Sequence, residues 1–221
     1  MGKIGEGIIA VWKTGGMSSH DVINQVRRAS GIRTVGHAGT LDPLARGILV
    51  IGIGRTATRQ LATIVQHEKE YITVVHLGII SSTDDEEGEK TTHVVHTIPT
   101  RAAVDEAVTH FVGHIMQVPP IYSALKIQGK PAYAYARAGK SLVMQARPVV
   151  IKEIEIISYE YPLIRLRTVT GPGVYIRSLA RDIGAALSTG GYMADLERTR
   201  VGKFTKEGCI QLQQIWCDRT K

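Results

Sequence analysis

Apolar positions fall into short runs separated by polar or glycine-containing stretches. Residues 7–13 and 48–53 are apolar runs of strand length, the second rich in β-branched side chains, as in a strand buried on both faces. Val22, Ile23 and Val26 recur at helical spacing, so 21–29 predicts a helix that Ser18 or Ser19 can cap. Residues 55–65, 101–111 and 175–187 predict further helices, and 132–138 a short one. Alternation over 70–77 predicts a strand, with 92–97 as its neighbour and 82–90 as the connecting hairpin tip. Strands are also expected over 149–159 and 163–169, and a strand or loop over 192–199. Strands in adjacent pairs, rather than strict strand–helix alternation, predict an α+β fold with a mixed, mostly antiparallel central sheet flanked by helices.

Composition adds limits. The chain has 221 residues, 43% of them hydrophobic and 21% charged, which suits one globular domain over 1–221 and excludes disorder as its main state. Aromatics are only 5%, so Ile, Val, Leu and Ala must form the core. No apolar run approaches the roughly 20 residues of a spanning helix, and no signal segment is present, so a cytoplasmic location without membrane attachment is expected. Cys209 and Cys217 lack a CxxC spacing and a second ligand pair, so no structural zinc is expected.

Charge sharpens the picture. The net charge of +7 is uneven: Asp42 is the one carboxylate between Arg27 and Arg59, a stretch carrying Arg28, Arg33, Arg46 and Arg55 besides. Residues 126–152 hold Lys126, Lys130, Arg137, Lys140, Arg147 and Lys152 with no acid, while Asp84 to Glu87 and Glu89 crowd into an acidic tip. Such polarity fits a groove that tracks phosphates, and equally fits solvated faces and loops.

The loop around Asp42 is the most unusual stretch. In Gly36-His37-Ala38-Gly39-Thr40-Leu41-Asp42-Pro43-Leu44-Ala45-Arg46-Gly47, glycines permit tight backbone shapes and Pro43 biases Asp42 towards an extended one. The loop can therefore aim one carboxylate, and arginines around it keep that carboxylate ionised, as a nucleophile needs. An Asp-Pro pair alone marks no more than a turn.

The wider pattern resembles the TruB family of tRNA pseudouridine synthases. The Asp42 loop is similar to that family's signature, and further blocks match in order. They are Lys13 with Gly16-Met17-Ser18-Ser19, Lys69-Glu70-Tyr71, and Thr83, Asp85 and Gly88. Next come Val118 to Lys126 with Gly129-Lys130, Gly173 to Leu179, and Leu196, Arg198, Thr199, Arg200, Gly202 and Phe204. The similarity spans about residues 7–205; Trp12 and Thr14 depart from the opening motif.

The resemblance implies a pseudouridine synthase fold with an inserted thumb loop at about 117–147. It implies isomerisation of uridine 55 in the T-loop of tRNA, after the base is flipped out and with no metal or organic cofactor. Asp42 is then the catalytic nucleophile and Arg177 its charge partner. Tyr71 stacks on the base and is a candidate for removing the C5 proton, and Leu196 lines the base pocket. His37 helps fill the space the base leaves. RNA contact is assigned to His37, Lys13, Lys126, Lys130, Arg137, Lys140 and Arg147. The expected partner is the tRNA T-arm stem-loop, bound by a monomer with no obligate protein partner and no C-terminal PUA domain. The rival readings are an RNA-binding or tRNA-folding module, a synthase acting on another RNA, and a glycosidase, which ordinarily needs a second carboxylate near the first.

Overall fold

The computed structural model describes residues 4–139 and 142–212. In chain order its elements are β1 (Gly7–Lys13), α1 (Ser19–Ser30), β2 (Val35–His37), β3 (Arg46–Ile53), α2 (Arg55–Val65), β4 (Lys69–Leu77), β5 (Ile79–Ser81), β6 (Lys90–Thr92), α3 (Arg101–Thr109) and β7 (Gly113–Gln117). They continue with β8 (Lys126–Ile127), β9 (Lys130–Pro131), α4 (Ala132–Arg137), β10 (Arg147–Glu160), β11 (Leu163–Thr170), α5 (Ile176–Ala186), β12 (Gly191–Val201), β13 (Phe204–Thr205) and β14 (Ile210–Gln211). This is the expected α+β class. The sheet is mixed, because β1 pairs with β14, and β3 with β12, in parallel, while β1 with β3, β10 with β11 and β10 with β7 are antiparallel.

The chain divides into two compact units. The first takes Met1–Ile72 together with Leu196–Lys221. Its strands follow the order β14-β1-β3-β12, with β2 on β3. Alternate residues of β3 feed two cores. Leu49, Ile51 and Ile53 pack with Val22, Ile23 and Val26 of α1, whereas Ile48 and Val50 pack with Leu61 and Ile64 of α2. A strand buried on both faces has no need of polar positions, which is why 48–53 reads as one apolar run. Of the two candidate caps for α1, Ser18 is the one used. Its side chain accepts from the Asp21 N–H at 3.1 Å and its own N–H donates to the Asp21 carboxylate at 2.8 Å, so the helix starts two residues earlier than the apolar spacing alone indicates.

The second unit is Thr73–Asp195. Here the order runs β4-β11-β10-β7, and β4 carries an alternating buried and half-buried pattern. The Thr73 hydroxyl donates to the Asp195 carbonyl at 2.7 Å, joining β4 to β12. α5 buries Ile176, Leu179, Ala180 and Ile183. The expected strand over 92–97 is corrected: β6 ends at Thr92 and pairs with β5, and Val94 and Ile98 stand 71% and 58% exposed. That stretch has β-branched residues but no face to bury, and β-propensity without burial makes no strand.

Candidate active site

In the first unit the Asp42 loop is held from four directions. The residues Asp42 to Ala45 close a turn in which the Ala45 N–H donates to the Asp42 carbonyl at 3.1 Å, with Pro43 where a turn favours it. The Ser19 hydroxyl, at the first position of α1, donates to the Leu41 carbonyl and accepts from the Leu41 N–H, both at 2.9 Å. The Pro43 carbonyl accepts from the Gly16 N–H at 2.9 Å and from Lys13 Nζ at 3.1 Å. Arg198, on β12, is fully buried and donates to the carbonyls of Ile48, Gly39 and Thr40 at 2.8, 3.1 and 3.4 Å. A guanidinium offers five donors in a rigid fork, so one side chain can tie down several carbonyls.

These contacts correct one expectation. Lys13 is fully buried, and its ammonium also donates to the carbonyls of Thr14 and Met17 at 3.0 and 2.7 Å. Its charge serves the loop rather than RNA. Gly47 shows how closely β12 approaches. With φ of +119°, it faces Arg198 across the β3–β12 ladder, and a Cβ there would lie 2.3 Å from the Arg198 carbonyl oxygen.

Asp42 itself is half-buried. Burial lowers the proton affinity of Arg198, and the Tyr71 hydroxyl, which accepts from the guanidinium, and the Asp42 carboxylate oppose that shift. Arginine remains cationic under such shifts, so a fixed positive charge stands in the field of Asp42. Tyr71 and Leu196 are buried, 6% and 5% exposed. His37, on β2, is half-buried; burial, with Arg198 and His20 nearby, holds it below its ordinary pKa. Its Nδ1 is buried with no hydrogen-bond partner among the described residues. Burial also drives Lys69 down to about 8, with Arg198 contributing; its ammonium donates to the Val65 and His67 carbonyls, each at 2.7 Å.

In the second unit Arg177 is buried in the first turn of α5. It pairs with Asp85 at 3.3 Å and donates to the carbonyls of Thr83 and Tyr122 at 3.3 and 2.8 Å. Asp85 is 3% exposed, and its carboxylate accepts from the Glu87 N–H at 3.1 Å and from the Thr83 hydroxyl. A buried charge is tolerated only with such pairing. The acidic tip is thus not a solvated cluster throughout. Gly88 lets it fold back, since a Cβ there would meet the Ser81 and Thr83 hydroxyls at 2.4 Å.

Lys126, Lys130, Arg137 and Arg147 are exposed, and Arg137 lies over the Tyr133 ring at 5.5 Å. Lys140 lies outside the described residues. Arg198 and Asp85 are side chains of these sites that sequence reasoning left without a role, and Ser19, read there as a candidate cap, instead holds Leu41; all three lie inside quoted motifs, but nothing in a sequence marks a charge as buried. Among the described residues no group of three His, Cys, Asp or Glu side chains is placed to hold a metal ion.

Comparison with known proteins decides the family. Residues 27–176 match the model of the TruB family pseudouridylate synthase N-terminal domain, and 177–218 that of the tRNA pseudouridylate synthase B C-terminal domain. The chain belongs to the TruB family of pseudouridylate synthases. It is therefore an enzyme, an isomerase. A tRNA pseudouridine synthase B of Leifsonia xyli subsp. xyli is 44% identical over 211 residues, covering 92% of this chain and 70% of the relative. One from Clostridium novyi is 42% identical, covering 96% and 73%. Among solved structures, a Cbf5-Nop10-Gar1 complex aligns with a TM-score of 0.73 at 29% identity, covering 94% of this chain and 52% of that one. An archaeal box H/ACA sRNP Nop10-Cbf5 complex gives 0.70 at 26% identity, again covering 52% of the solved chain. These likenesses fit the pseudouridine synthase fold that the TruB resemblance implies.

Proposed function

We propose that this TruB-family chain isomerises uridine to pseudouridine in tRNA, with uridine 55 of the T-loop as its target and Asp42 as the nucleophile. The observation that carries the reading is the Asp42 loop, where four separate anchors hold a half-buried carboxylate beside a fully buried arginine. A binding module gains nothing from fixing one carboxylate so firmly; a reaction that must meet a particular atom does.

The net chemistry needs no redox partner. The N1–C1′ bond breaks, the base turns, C5 bonds to C1′, the C5 proton departs and N1 gains one. A carboxylate kept anionic can attack the nucleotide, and Tyr71 offers a π face worth roughly 1–3 kcal/mol of stacking to a base taken out of its stack. Leu196 lines the pocket, His37 takes the vacated space, and Arg177 balances negative charge during the reaction. Lys126, Lys130, Arg137 and Arg147 receive the phosphates of the T-arm. Relatives named for tRNA match at 41–44% identity, against 26% for the archaeal box H/ACA complex, and this favours tRNA over another RNA as substrate.

The test is incubation with a T-arm stem-loop, followed by chemical mapping of pseudouridine. Wild type is expected to convert one uridine, and Asp42→Asn to convert none while still binding the RNA. Full activity in the variant removes Asp42 from its role; no product from wild type removes the reading as a whole.

A further inference from the structure

Two neighbouring acids on the tip between β5 and β6 meet two arginines one turn apart on α5. Asp85 pairs with Arg177 at 3.3 Å, and Asp84 pairs with Arg181 at 2.9 Å. Each arginine also donates to a carbonyl of the segment leading from β7 into the basic thumb. Arg177 reaches Tyr122 O at 2.8 Å and Arg181 reaches Val118 O at 2.9 Å. The acceptors are four residues apart, as are the arginines. The Val118 carbonyl also takes a bond from the Ser178 hydroxyl at 2.8 Å, and Gln117 exchanges two hydrogen bonds with the backbone of Tyr175, at 2.9 and 3.1 Å.

The reason for so many bonds lies in the sequence. Val118-Pro119-Pro120-Ile121-Tyr122 has two successive residues without an N–H, so this stretch is fastened chiefly through its carbonyls. Packing does not hold it from every side. A cavity of about 240 Å³ borders it, lined by Thr83, Asp84, Pro120, Tyr122, Met144 and Arg181. Arg181 is the side chain that spans the gap, meeting the Asp84 carboxylate, the Val118 carbonyl and, at 2.9 Å, the Asp182 carboxylate. Asp84 is held ready for it in a left-handed conformation, φ 62°, that non-glycine residues seldom adopt. Its side chain is only 16% exposed, which sets the pair apart from an ordinary surface ion pair.

We propose that Arg181 and Asp84 are positioning residues for the isomerisation: they fasten the root of the thumb so that the Tyr122 carbonyl stays on Arg177 and holds that guanidinium in its working orientation. The proposal rests on the reading of this chain as a pseudouridine synthase that uses Arg177.

The experiment compares Arg181→Lys, Arg181→Ala, Asp84→Asn and the Arg181→Lys, Asp84→Asn double variant with wild type. Single-turnover pseudouridine formation at saturating T-arm RNA, RNA affinity and amide hydrogen exchange over residues 118–139 are measured on each. Each single variant is expected to lower the rate about tenfold or more with affinity unchanged, as a displaced catalytic group does. The double variant should be no slower than the slower single one, because both changes break one pair. Exchange over the thumb root should quicken. Lysine preserves the charge but offers one nitrogen in place of the fork whose separate nitrogens reach Asp182, Asp84 and Val118, so it should rescue the rate only in part. Should Arg181→Ala fail to fold, the Lys and Asn variants carry the test. Unchanged rates with unchanged exchange overturn the proposal. So does the pattern of a phosphate contact, in which Asp84→Asn tightens binding, Arg181→Lys or Ala weakens it and the rate at saturation holds. If wild type itself forms no pseudouridine, the proposed function falls separately, and exchange alone decides whether the strap exists.

Discussion

Lys69 carries a charge that folding discourages. Unfolded, its amine keeps a proton up to about 10.5; folded, burial and the neighbouring Arg198 bring that down to about 8. Between those values the unfolded chain binds the extra proton, so stability rises with pH across that window and is lost as pH falls to 8. Replacing Lys69 with Met removes this slope. Paired thermal melts should show wild type gaining on Lys69→Met between the two pKa values and tracking it in parallel below pH 8; a constant gap throughout contradicts the assignment. At this scale the sequence was informative about Asp42 and poor about cations. The glycines and Pro43 mark the Asp42 loop as able to aim a side chain. Lys13, by contrast, looks like any basic residue at a strand end, and the Arg198-Thr199-Arg200 triple looks like a solvated edge. Whether a charge is buried depends on residues far away in the chain, here Pro43 for Lys13 and Ile48 for Arg198.

Elements were legible where one face or two had an apolar core to meet. The run 48–53 and the helices α1, α2 and α5 follow directly from their patterns. β7 (Gly-His-Ile-Met-Gln) escaped because its His114 and Met116 are exposed and its alternation is weak; pairing with β10 makes it a strand. The β3–β12 ladder escaped for another reason: parallel neighbours 150 residues apart leave no local mark. Its close approach gives a prediction. Gly47→Ala puts a methyl against the Arg198 carbonyl, at a positive φ, where nothing flexible can give way. The variant should lose about 3 kcal/mol or more of stability in a urea titration. A loss under about 1 kcal/mol, the middle of the range for point mutations in general, means the two strands part more easily than their geometry implies.

Across the whole molecule the net charge of +7 is unevenly spread along the chain. Asp84 and Asp85 are neutralised by Arg181 and Arg177 inside the second unit, so the acidic tip offers less negative surface than its composition implies. No helix among the described residues is long and apolar enough to cross a membrane. Binding to a T-arm stem-loop should weaken steeply with salt. Neutralising Lys126, Lys130, Arg137 or Arg147 singly should reduce the slope of log affinity against log salt by about 1 for each phosphate contact removed. A wild-type affinity insensitive to salt rules out the phosphate-tracking groove.

The reach from Arg198 back to the Asp42 loop also sets an order of events during synthesis. The first unit is discontinuous, and the arginine that grips Gly39, Thr40 and Ile48 leaves the ribosome some 150 residues after they do. A growing chain can assemble β1, α1 and β3 early, with Ser19, Gly16 and Lys13 already on the Asp42 loop, but the loop gains its last anchor only when β12 has been made and docked. The loop is therefore completed late in synthesis, by the part of the chain that closes the first unit.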